Sequence, residues 1–240
     1  MTTTSQRARW GTARVLFGGH LLFVLMAVGV AVALTAVVTA AIAIFGTVST
    51  SLVDPAATVL RWFALGYGTY LFGTALPTHI AHGQTRRNFM VQAALFVVAA
   101  SIAVGAVLTA MYALEGAVFD RLGWVHEVPD DRLYAGPGDW GLVLLTYSAL
   151  LAVWAMVGSF LSAAFHRTGG WRLLVALPAI ALVVLAGSAV GVSGLPFAGR
   201  LLDAGTGSLP GALAGVTAAV LAGAGLTWAV VRDLPVRRTR

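Results

Sequence analysis

Few side chains in this sequence can do chemistry, and their types narrow the options at once. Cysteine is absent, which removes thiol nucleophiles, disulfides and thiolate metal sites. Lysine is absent as well, so all 15 basic residues are arginine. A glycine loop that cradles phosphates and ends in Lys is therefore excluded, and no nucleotide site of this kind is expected on the chain. Five histidines remain: His20, His79, His82, His126 and His166. Their spacing fits no local metal motif, and interfacial histidines are the default reading over haem or metal ligands. Two ionisable groups, Arg61 and Glu115, lie closest to long apolar runs. They are candidates for a gate or an ion pair at one mouth of a bundle, against plain snorkelling to the membrane surface. No catalytic residue is assigned, and no metal is expected.

The elements that must position these groups follow from composition. Hydrophobic residues make up 59% of the 240 residues and charged ones 10%, against about 25% charged in a soluble domain. So few charges cannot cover a water-soluble surface or sustain disorder. A bilayer core about 30 Å thick needs about 20 helical residues, and six stretches qualify: 16–45, 57–79, 89–114, 140–165, 171–192 and 209–231. Alternation of the barrel kind is missing, so helix is the way to satisfy the backbone in lipid. The expected fold is all-α: one polytopic bundle of six transmembrane helices over residues 1–240. The first apolar run far exceeds the 7–15 residues of a signal-peptide core and is read as retained.

Orientation follows from the arginines. Eleven of them (Arg7, Arg9, Arg14, Arg86, Arg87, Arg167, Arg172, Arg232, Arg237, Arg238 and Arg240) fall on one side of a six-span layout. That side is expected in the cytoplasm, with both termini, in the cell membrane. The bias also accounts for the net charge of +6 without nucleic acid as a partner. The longest loop, 116–139, falls outside and is too short for a domain.

Helical spacing marks two faces. In the second span Gly66, Tyr70 and Gly73 share one side with Pro77, while Tyr67, Thr74 and Thr78 lie on the next. This strip suits a pathway or a packing face. In the sixth span Gly211, Gly215, Ala218, Ala222 and Gly225 form a small-residue face that allows close helix approach, read as packing within the monomer. Pro77 and Pro178 are candidate kinks.

The loop between the second and third spans is the most informative segment. It reads His82, Gly83, Gln84, Thr85, Arg86, Arg87, Asn88, Phe89. Thr85 is expected to cap the helix that follows. The two arginines at that helix start oppose its dipole, so a role beyond helix stability is expected of them. The run resembles the Gly-x-Thr/Ser-Arg-Arg/Lys-x-Phe/Tyr segment of the membrane subunits of type-2 ATP-binding-cassette exporters, with Gln84 a mild departure. The six-span layout and an acid, Glu115, closing the third span are similar to these permeases too. The resemblance implies a short coupling helix that docks on a separate cytoplasmic ATPase subunit, with Arg86 and Arg87 meeting acids or carbonyls there. It also implies that ATP and Mg sit on that partner, that this chain binds no cofactor, and that a second permease subunit, identical or related, completes the transporter. Residues 6–14 would then be an interfacial helix lying on the lipid. The alternative is a membrane scaffold or assembly protein that moves nothing.

Overall fold

A computed structural model describes residues 11–46, 50–130, 132–168, 172–192 and 208–232. The expected interfacial segment therefore lies largely outside the described residues, as do the arginines at 7, 9, 200 and 237–240. Among the described residues every regular element is helical. The order is α1 (Gly11–Phe45), α2 (Val53–Tyr70), a π-turn (Leu71–Ala75), α3 (Leu76–Ala81), α4 (Arg86–Leu122), α5 (Trp140–Thr168), α6 (Arg172–Ala189) and α7 (Leu209–Val231).

Four helices are long and apolar enough to cross a membrane: Gly18–Ile44, Arg86–Leu122, Trp140–His166 and Leu209–Val231. The second expected span falls on α2, the π-turn and α3, a helical run interrupted midway and charged near its start by Asp54 and Arg61. The fifth falls on α6, whose apolar part, Leu174–Ala189, is shorter. This is the helical architecture of a protein embedded in a membrane, with many large apolar side chains turned outward, from Leu22 and Val37 to Leu221.

Helix α5 is the hub: it packs against α2, α4, α6 and α7. Its crossing with α2 is backbone on backbone. A Cβ on Gly68 would run into the Ala155 carbonyl, and one on Gly158 into the Leu65 carbonyl. Close approach of this kind is how helices associate where lipid is as apolar as the side chains. By contrast α1 leans on α2 and α4 through little more than Val24, Val28 and Ala31.

Three expectations about the elements are corrected. Glu115 does not close the third span, because α4 runs on to Leu122, where Gly123 at φ 68° ends it. The extension is held by Phe119, fully buried, and by Gly116, against which Pro137 packs. The small-residue face of α7 is not its packing face: Ala218, Ala222 and Gly225 look outward, while Ala212, Ala219, Gly223 and Thr227 are buried. The register is set by Gly215 against Ala189 and Gly223 against Met156. Finally, Pro77 does not simply kink its helix. It has no N–H for the Gly73 carbonyl one turn back, and the wide π-turn lies there, with the Leu76 N–H reaching the Leu71 carbonyl.

Candidate functional site

Two regions at opposite ends of α2–α3 and α4 concentrate the polar groups. One is the turn between α3 and α4. α3 ends on Gly83, at φ 77°, a left-handed conformation that favours glycine. The Gly83 N–H reaches the Ile80 carbonyl at 2.9 Å and the Gln84 N–H the His79 carbonyl at 3.0 Å, which closes the last turn. Two residues later α4 begins. Thr85 Oγ1 accepts from the Asn88 N–H at 3.2 Å, the expected cap, and Asn88 Nδ2 donates to Gln84 Oε1 at 2.9 Å. No separate coupling helix intervenes, because α3 stops at Ala81 and α4 starts at Arg86. Thr85→Ala is expected to cost about 1 kcal/mol, the ordinary worth of a cap, read as a lowered thermal midpoint in detergent.

The residues of this segment divide into two sets. His82, Gly83, Thr85 and Arg87 are exposed. Phe89 is fully buried, so it cannot present its ring to a partner as the resemblance implied. It sits edge-on to Phe72 of the π-turn, centroids 5.7 Å apart, and 5.1 Å from the His79 ring. His79 Nδ1 lies 2.8 Å from the Ala75 carbonyl, also in the π-turn. Arg86 Nη1 donates to the Arg232 carbonyl at 2.7 Å. A carbonyl was expected as its partner, but this one belongs to the chain's own α7. The contact places a cation at the C-terminal, negative end of that helix dipole.

The second region is at the far end. Glu115, buried, accepts from Ser51 Oγ and from the Leu52 N–H, both at 2.6 Å, and His126 Nε2 lies 3.4 Å away. A single bridge between Thr50 and Glu127 runs beside it. Glu115 thus ties the segment entering α2 to the segment leaving α4. Arg61 is not among its partners. The Arg61 guanidinium turns back on its own helix, with Nη2 donating to Thr58 Oγ1 at 2.5 Å and Nε to the Ala57 carbonyl at 3.4 Å.

The ion pair at this end is one the sequence did not announce. Arg132 Nη2 meets Asp54 Oδ2 at 2.6 Å, and Tyr147 Oη donates to Asp54 Oδ1 at 3.0 Å. Arg132 Nη1 donates to Tyr134 Oη at 2.9 Å. Burial opposes the charge on Arg132, but Asp54, with Tyr134 and Tyr147 beside it, outweighs this and holds the guanidinium above its ordinary range. Burial pushes the Tyr134 phenol up, so it stays neutral and available as an acceptor. The one local hint was Asp54 in the first turn of α2, where the helix dipole favours an anion. Its pairing with Arg132 crosses 78 residues of sequence and leaves no periodic trace.

The strip on the second span is split. Gly66, Tyr70, Thr74 and Thr78 are exposed, Gly73 is half-buried near Ser162, and Tyr67 is turned inward. The Thr78 hydroxyl closes on the Thr74 carbonyl at 2.9 Å, which satisfies it without a pathway. His20 rests on this strip, its ring 5.2 Å from that of Tyr70. Among the described residues no three His, Asp or Glu side chains gather as metal ligands would.

Comparison with family models, with curated proteins and with solved structures gives no match. What is established is the class: an all-helical protein with several apolar helices of membrane-spanning character.

Proposed function

We propose that this chain is the membrane-spanning permease subunit of an ATP-driven exporter in the cell membrane. In this reading six segments cross, with both termini and the Gly83 turn in the cytoplasm. A separate ABC ATPase subunit, which holds the ATP and Mg, docks on the turn, and a second permease subunit completes the pathway. The observation that carries the reading is the construction of the turn. Its exposed tip, with Arg87 beside the capped start of α4, is rooted through Phe89 onto Phe72 and His79, against the π-turn. A push on the tip is therefore delivered to the least regular point of the α2–α3 run. Arginine suits such a contact through its forked donors. The docking surface is the tip alone, His82, Gly83, Thr85 and Arg87, with Phe89 as its root.

The test is affinity purification of the chain from its native membrane, assayed for an attached ATPase subunit. Arg87→Glu is expected to reduce the recovered ATPase by about tenfold, the loss of one charge-assisted contact plus a repulsion. Recovery undiminished in that variant counts against the docking assignment. Arg86→Ala serves as the contrast. It loosens α7 from the turn and is expected to lower thermal stability more than it lowers association. A second reading, a membrane scaffold that moves nothing, draws on the same Arg86 contact, because that arginine is engaged within its own chain. Recovery of another membrane complex, with no ATPase in the wild-type preparation, favours it.

A further inference from the structure

An apolar cavity of about 450 Å³ lies between α1, α2, α4 and α5. Its walls include Val28, Leu60, Phe63, Tyr67, Phe96 and Val104. The size falls within the range of small-molecule sites, which are mostly apolar with a few polar groups that orient the ligand. Three features say what could occupy it.

The first is depth. Tyr67 is the midpoint of the helical run from Val53 to Ala81, about 21 Å from either end at 1.5 Å per residue. Molecules reach this level from the bilayer, not from water. The second is access. The wall toward α1 is formed by Val24 and Val28, and α1 is the helix with the fewest buried residues holding it, so entry from lipid needs only a small lean of α1. The third is a polar group without a partner. Tyr67 is 8% exposed, and its hydroxyl is buried with no hydrogen bond. An unmet buried hydroxyl is costly. Ring neighbours surround it, Phe96 at 5.5 Å and His20 at 5.8 Å between centroids.

We infer that this cavity binds a lipophilic carbonyl compound taken from the bilayer, with its hydrocarbon body among Val28, Leu60 and Val104 and its oxygen accepting from the Tyr67 hydroxyl. A flat ring suits the Tyr67–Phe96–Phe63 end, where edge and offset contacts between aromatic faces are available. A charged or strongly polar ligand is excluded by the walls. The inference does not depend on the ATPase-docking reading and is tested on the chain alone.

The probe is a quinone carrying a decyl chain, titrated into the full chain in phosphatidylcholine nanodiscs while tryptophan emission is followed, with empty discs as the blank. Saturable quenching is expected on the wild type. Tyr67→Phe is expected to weaken it about tenfold, one hydrogen bond's worth. Filling the cavity with Ala100→Leu, or with Ala64→Leu should the first unfold on thermal melting, is expected to abolish the saturable phase. Decylbenzene, which lacks the oxygen, is expected to compete weakly and equally on the wild type and on Tyr67→Phe. No saturable phase on the wild type overturns the site. Equal affinity of the quinone for wild type and Tyr67→Phe overturns the role given to the hydroxyl, and quenching unaffected by a folded Ala100→Leu or Ala64→Leu overturns the location.

Discussion

Replacement of Gly68 or Gly158 by leucine is expected to leave no folded bundle. At both positions the added Cβ meets a backbone carbonyl across the α2–α5 crossing, that of Ala155 in one case and of Leu65 in the other. A side chain can swing aside, but a carbonyl in the middle of a helix cannot, so the two axes must separate. Overpacking a core against movable side chains costs about 1–3 kcal/mol, and separation of the hub helix from α2 exceeds that. It also opens the aliphatic and aromatic packing on either side of the crossing, which Leu60, Leu71 and Leu151 help to form. The expected result is loss of the monodisperse peak on size exclusion in mild detergent, for each variant alone. Gly66→Leu is the control: it lies two residues from Gly68 on the open side of α2, with nothing near its absent Cβ, and it should behave as wild type. A well-behaved Gly158→Leu protein would mean that α2 and α5 do not cross at this point.

The second large effect is expected at the far end. Asp54→Ala leaves Arg132 charged, with its side chain 10% exposed and its carboxylate partner gone. Removal of one partner of a buried pair costs about 3–5 kcal/mol, and the lower part of that range applies because the Asp54 side chain itself is 31% exposed. The reverse change is expected to be milder, since Asp54 in Arg132→Ala keeps the Tyr147 hydroxyl and can take up water. The double variant Asp54→Ala/Arg132→Met should recover most of the loss, because it removes both charges and restores apolar volume. Thermal unfolding of the three proteins ranks them. If Arg132→Ala proved the most harmful, the guanidinium would be doing something other than balancing Asp54.

The helical content of the chain was legible because one physical demand, a backbone satisfied within lipid, dominates the composition. The cap at Thr85 and the turn at Gly83 were legible too, since both are local chemistry within four residues of sequence. What sequence could not disclose were the pairings. The second-span strip looked like one surface by angle, yet Tyr67 turns inward while Tyr70 and Thr74 turn outward, because the direction of the core depends on where α5 lies. The same holds for α7, whose packed face is one residue out of phase with the glycine-rich one. Arg61 and Glu115 were singled out as the charges nearest the bilayer. Each found a partner close to its own helix end, while Asp54 and Arg132, less conspicuous in loops rich in acids, made the ion pair.

The π-turn has a consequence of a different kind. A five-residue hydrogen-bonded ring inside a 3.6-residue cadence amounts to one surplus residue, accommodated without breaking the rod. Deletion of that residue, Thr74 for example, would let the rod regain its regular pitch while everything beyond it is rephased by about 100°. His79 and Ile80 would then exchange azimuths beneath Phe89. The chain thus carries, at a single locus, the length error that a shorter ancestor or a shortened descendant would lack, and the azimuth of the arginine tip is the quantity such an edit would turn.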